Sequence, residues 1–169
     1  MKSLIAIAAL ALSIGVSSNS QAQPRPLSSD VARSVATYSR YTVFDDVRVH
    51  VDEGAVTLSG KVTEPVKKDE LGKRVAALTG VTALRNEIEV LPPLASDDDL
   101  RHRVARAIYG HAAFWRYAAM PTPPIRILVD RGRVTLTGVV QTDSDRMLAR
   151  SLASGLGETS LTCELRAER

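Results

Sequence analysis

Apolar and polar residues alternate in the same order at two places along this 169-residue chain. The stretch Val47-Arg-Val-His-Val-Asp-Glu-Gly-Ala-Val-Thr-Leu-Ser-Gly-Lys-Val62 returns 78 residues later as Ile125-Arg-Ile-Leu-Val-Asp-Arg-Gly-Arg-Val-Thr-Leu-Thr-Gly-Val-Val140, identical at 9 of 16 positions. Agreement with Gly, Asp and Thr in register marks a tandem repeat of two units. Val47, Val49, Val51 and then Val56, Leu58, Val62 fall at every second position or close to it, as do Ile125, Ile127, Val129 and then Val134, Leu136, Val140. Period two predicts strands with one buried face. Asp52-Glu53-Gly54 and Asp130-Arg131-Gly132 separate the strands, Asp able to close a turn and Gly able to take positive φ, so each copy reads as a β-hairpin. Gly60 and Gly138 fall on the buried face of the second strand, where a missing side chain is expected to let a helix approach closely.

The flanks are doubled too. Upstream, Ser29 or Asp30 is placed to cap a helix carrying Val31, Val35 and Tyr38, and Asp97 to cap one carrying Leu100, Val104, Ala107 and Ile108. Downstream, Pro65 opens a helix bearing Leu71, Val75 and Leu78, and Asp143 one bearing Leu148, Leu152 and Leu156. A last strand follows in each unit, Ala83–Val90 and Ser160–Leu165. The predicted fold class is α+β: two tandem αββαβ units, residues 28–92 and 96–168, each a three-stranded sheet with two helices on one face. Pro92 and Pro93 mark the boundary between them. Units this small are expected to pack together.

At the N-terminus the 13 residues Leu4–Val16 are too few to span a bilayer, which takes about 20. They follow Lys2 and lead to Ser20-Gln21-Ala22, a pattern read as a signal peptide, residues 1–22, cleaved after Ala22, with a periplasmic destination. Cys163, the one cysteine, has no partner in its own chain; its alternation with Leu161 and Leu165 favours a buried thiol over a reactive one.

The hairpins at Val49–Val62 and Ile127–Val140, of the form Val-x-Val-x-x-Gly-x-Val-Thr-Leu-x-Gly-x-Val, and the stretch Gly80-Val81-Thr82-Ala83-Leu84-Arg85-Asn86-Glu87-Ile88 resemble the BON domain, an αββαβ module of bacterial envelope proteins. A tandem pair behind a signal peptide is similar to the osmotically inducible periplasmic proteins. The resemblance covers roughly residues 28–168 and implies attachment to phospholipid or another envelope component. The second copy departs from the pattern at its end, where Cys163 takes the place of Asn86 and Gly157-Glu158 that of the Gly-Val pair.

Charge and aromatic residues give the binding reading a location. Residues 28–92 carry nine basic and ten acidic side chains, residues 96–169 eleven and nine. The window Leu100–Val129 holds Arg101, Arg103, Arg106, Arg116 and Arg126 with no Asp or Glu, and four of the chain's seven aromatics: Tyr109, Phe114, Trp115 and Tyr117. Arginines beside Trp and Tyr suit an anionic bilayer surface, where cations meet headgroups and rings settle at the interface. Arg101, Arg103, Arg106, Trp115, Arg116 and Tyr117 are therefore the candidate lipid-binding residues. Two alternatives stand beside this: Phe114 and Trp115 as packing between the units, and the arginines as a solvated helix face. The expected partner is an anionic phospholipid surface or, alternatively, an envelope protein, the chain then acting as an adaptor. Nucleic acid is not expected of an exported chain with so small a basic excess. No nucleophile elbow, phosphate loop or metal-binding spacing is present, and His50, His102 and His111 are scattered, so neither catalysis nor a cofactor is expected. Asp97-Asp98-Asp99 reads as a helix start that complements the dipole.

Overall fold

The computed structural model describes residues 26–168; the predicted leader, residues 1–22, lies outside them. The first unit runs α1 (Leu27–Ala36), β1 (Asp46–Asp52), β2 (Ala55–Val62), α2 (Pro65–Ala76) and β3 (Ala83–Val90). The second runs α3 (Ala95–Tyr109), a 3-10 turn (Ala112–Phe114), α4 (Trp115–Ala118), β4 (Ile125–Asp130), β5 (Arg133–Val140), α5 (Asp143–Ala153), β6 (Ser160–Cys163) and β7 (Arg166–Ala167). This is the predicted α+β class, with the αββαβ order in both units. The second hairpin strand is central in each sheet: β2 pairs antiparallel with β1 and parallel with β3, and β5 pairs likewise with β4 and β6. The last strand of the second unit is broken. It leaves β5 after Cys163, turns the buried Leu165 inward and resumes as β7 beside Val139 and Val140.

Both hairpins turn as their sequences dictate. Glu53 and Gly54, and likewise Arg131 and Gly132, have positive φ, the mirror-image turn that matches strand twist. Gly60 and Gly138 are required for a different reason from the one the pattern suggested. Their φ values are +112° and +116°, and a Cβ would stand 2.1 Å from Asp46 O and 2.0 Å from Pro124 O, the backbone of the neighbouring strand, not a helix. They mark where the central strand bends against the start of its partner.

Each unit has its own core. Val31, Val35, Tyr38, Val56, Leu58, Leu71, Val75 and Ile88 form the first, while Leu100, Val104, Ile108, Phe114, Tyr117, Ile127, Leu136 and Ala149 belong to the second. Leu58 and Leu136 occupy matching positions on the central strands, each fully buried and worth about 2 kcal/mol of transfer free energy. The cores differ in completeness. Val47, Val49 and Val51 are half-buried, while Ile125, Ile127 and Val129 are fully buried, because α3 has 15 residues against 10 for α1 and the second unit adds the 112–118 segment.

The helix caps depart from expectation. Pro26, not Ser29 or Asp30, precedes α1, and α3 begins at Ala95, so Asp97 sits in its first turn. There Asp97 is buried and accepts from Arg131 N at 2.7 Å and Gly132 N at 2.8 Å, holding the second hairpin turn instead of a helix end. At α5 the cap is Thr142, whose hydroxyl accepts from Asp145 N.

In both units the chain ahead of the hairpin is tied to the first turn of the following helix by charge. In the first, Lys67 of α2 donates to Asp45 at 2.8 Å, both side chains almost fully buried. Thr42 N and Oγ1 and Thr63 N and Oγ1 complete the bonds to the Asp45 carboxylate. At the position of Lys67 plus 78, the second unit has Asp145, which accepts from Arg116 Nη2 at 2.7 Å and Tyr117 Oη at 2.9 Å. The tie is kept and its sign is reversed.

The loop that Asp45 holds also reaches the second unit. Val43 O accepts from Ile127 N at 2.8 Å, Thr42 O accepts from Arg126, and Phe44 meets His102 edge to face. Arg126 lies over the Tyr41 ring, 4.7 Å from its centroid. Lys61 with Asp130, Arg48 with Glu164 and Thr137 with Asp46 add polar links. The two units pack together as expected, through contacts more polar than either core.

Candidate functional site

The candidate residues come from α3 and the 112–118 segment, which with α5 form the helical layer of the second unit. Leu100, Val104 and Ile108 of α3 face the core, which turns Arg103 and Arg106 outward one helical turn apart. Arg103 Nε donates to Leu156 O at 3.1 Å, placing it beside the end of α5. Near the start of α5, Arg116 pairs with Asp145 and lies over the Tyr117 ring, 4.8 Å from its centroid, with 42% of its side chain exposed. Trp115 is 70% exposed, so the reading of it as packing between the units is overturned. Phe114, its neighbour, is fully buried and does fill the core of the second unit. Met147, on the outer face of α5 and 68% exposed, is a second large apolar side chain on this layer that sequence reasoning missed. Its signal was its place two residues from Asp145 and Ala149, opposite the buried stripe.

Two candidates are corrected. Arg101 is 4% exposed; its guanidinium turns inward and donates to Val129 O at 2.9 Å, closing the end of β4. Tyr117 is 1% exposed; its hydroxyl donates to Asp145 and accepts from Gln141 N at 2.8 Å. Neither side chain stands on the outer surface. The first unit held the hint for Tyr117, because Tyr38, also downstream of a first helix, is buried and donates to the Glu70 carboxylate. Arg103, Arg106, Trp115 and Arg116 remain exposed on the helical layer, Arg103 beside the end of α5 and Arg116 near its start.

Other titratable groups serve structure. Tyr109 donates to Ile125 O at 2.5 Å, and burial pushes its pKa up to about 12. Glu158 accepts from Gly155 N and Leu156 N at 2.8 Å each, which holds its carboxyl below the usual range. Asn86 donates to Lys68 O, tying β3 to α2; Cys163, opposite Leu136 as Asn86 is opposite Leu58, is a half-buried free thiol against the core. Among the described residues no three His, Cys, Asp or Glu side chains converge as a metal site requires, and no helix is long and apolar enough to cross a membrane.

Comparison with known proteins adds the family. No curated protein matches the chain. Two solved structures of CdsD, a structural protein of the type III secretion system of Chlamydia trachomatis, are similar at 14% identity. One covers 83% of this chain and 92% of its own with a TM-score of 0.30. The other, the CdsD C-terminal domain, covers 82% and 96% with a TM-score of 0.29. Likeness at that level bears on neither fold nor function. The model of the BON domain matches residues 27–92 and again 96–159, twice in tandem. BON domains are associated with phospholipid-binding envelope proteins and are generally non-catalytic. With both of its units matched and together filling most of its length, the chain belongs to the BON domain family.

Proposed function

We propose that this protein is a periplasmic binding module that docks reversibly on anionic phospholipid through the helical layer of its second unit. The observation that carries the reading is the exposure of Trp115 on a short outer helix, beside the half-exposed Arg116 and on the same layer as Arg103 and Arg106. Trp115, 70% open to water, is a large ring with an apolar body and a polar N–H, the kind of side chain that settles at a membrane interface when cations stand on the same surface. At a bilayer its ring reaches the headgroup level while the arginines meet phosphate. Met147 adds apolar area to the same layer. Arg116 contributes less charge, since Asp145 already neutralises it. Export through the leader read at residues 1–22 would bring the surface to the envelope.

Flotation with vesicles tests this. The protein is expected to float with phosphatidylcholine vesicles containing phosphatidylglycerol at low salt, and to be released as salt screens the arginines. With each basic residue near such a surface worth about 1 kcal/mol, the variant Arg103→Ser/Arg106→Ser should bind about 30-fold more weakly, and Trp115→Ser should weaken binding further. Arg116 is left intact because removing it would strand the buried Asp145. Equal flotation with pure phosphatidylcholine, or an unchanged double variant, would overturn the reading. No flotation under any condition would reassign the layer to an envelope protein as partner.

A further inference from the structure

A groove of about 490 Å³ lies between the units beside the segment that links them. Phe44, Pro93 and Leu94 give it apolar walls, and Lys67, Arg101 and His102 supply polar groups. Leu94 is 41% exposed, a large apolar side chain open to water. An apolar cleft at an interface with a few converging polar groups is the common form of a small-ligand site.

Arg101 sets this groove apart. Only 5% of its side chain is exposed, and its Nε has no hydrogen-bond partner. Its Nη2 is engaged by Val129 O, but Nη1 stands 3.7 Å from Asp98 Oδ1, an ion pair too long for a hydrogen bond. Nε is shut off from solvent, so Nη1, which the protein leaves without a hydrogen bond, is the guanidinium group that a ligand in the groove would meet. Lys67 is not free in the same way, since Asp45 and Thr63 Oγ1 engage its ammonium. Glu64 and Asp98 line the rim and balance the cations, so selection would rest on the unmatched guanidinium and not on net charge.

We infer that the groove binds one molecule of a single-chain carboxylate amphiphile. The carboxylate takes the place that Asp98 holds loosely at Arg101, and the chain lies along Phe44, Pro93 and Leu94. Asp98, 62% exposed, is free to swing into water when displaced. The site is separate from the Trp115 surface and does not depend on membrane docking.

Isothermal titration of the protein with octanoate below its micelle concentration, and with octan-1-ol and acetate in parallel, tests this. Saturable binding of one octanoate per chain is expected, with the alcohol and acetate each at least tenfold weaker. Leu94→Glu, which puts a carboxylate into the exposed wall without touching either core, should weaken octanoate at least tenfold, and so should Arg101→Met. Should Arg101→Met fail to fold for want of its bond to Val129 O, Leu94→Glu decides alone. Trp115→Ser should leave octanoate binding unchanged, which separates this site from the docking surface. No saturable binding, equal binding of the alcohol, or indifference to Leu94→Glu would overturn the inference.

Discussion

Replacing Lys67 with Met would leave the Asp45 carboxyl fully buried and without its cation. The Asp45 carboxylate accepts from Thr42 N and Oγ1 at 2.8 Å each, Thr63 N at 2.9 Å, Thr63 Oγ1 at 3.1 Å and Lys67 at 2.8 Å. Breaking a buried pair from one side costs about 3–5 kcal/mol, because the remaining charge stays desolvated. Four neutral donors survive here, which sets the expected loss at the lower end, about 3 kcal/mol, or about 150-fold in the folding equilibrium. Urea unfolding followed by far-UV circular dichroism measures it. The double variant Asp45→Asn/Lys67→Met, with no stranded charge but with its amide NH2 set against the N–H of Thr42 or Thr63, should recover part of the loss. The loop at Asp45 presents Thr42, Val43 and Phe44 to the second unit, so the single variant should also enlarge the radius of gyration in X-ray scattering as the units loosen. A loss under about 1 kcal/mol, or a double variant no better than the single, would refute the reasoning.

Two further outcomes follow from local geometry. Gly138→Ala should cost at least about 2 kcal/mol in urea unfolding, since a Cβ there meets Pro124 O at 2.0 Å and φ is +116°. Tyr109, with its pKa raised from 10.0 to about 12, stabilises the fold fully below pH 10, and that contribution is lost as the pH climbs toward 12. Thermal unfolding between pH 9 and 12 should show a decline of about 2 kcal/mol or less from this group, and Tyr109→Phe should flatten it.

The repeat, the hairpins and the order of elements were legible because each rests on a short-range rule: period two for strands, a positive-φ glycine in the turn, proline at the first turn of α2. What escaped was the direction of long amphipathic side chains. Arg101 neighbours Leu100 and lies three residues before Val104, at the edge of the apolar stripe, where a side chain of its length can turn either outward or inward. A bare carbonyl at the end of β4 decided the matter, and a strand carbonyl leaves no mark on a sequence. Asp97 was misread as a helix cap for the same reason: its partners are the backbone N–H groups of Arg131 and Gly132, more than thirty residues away. Trp115 was legible as a candidate, but whether an aromatic on a four-residue helix faces core or water depended on Phe114 taking the core position first.

The reversed charge tie bears on how two neighbours of the same fold in one chain avoid folding into each other. A nascent tandem repeat risks pairing the hairpin region of one copy with the helix of the other. Had both ties the same sign, such a hybrid would lose nothing electrostatically. Here it would set Asp45 against Asp145, and Lys67 against Arg116, placing like charges together where three of the four groups are largely shut off from water. Each half therefore recognises its own helix, and a single inversion at one repeat position makes mistaken partnering self-defeating.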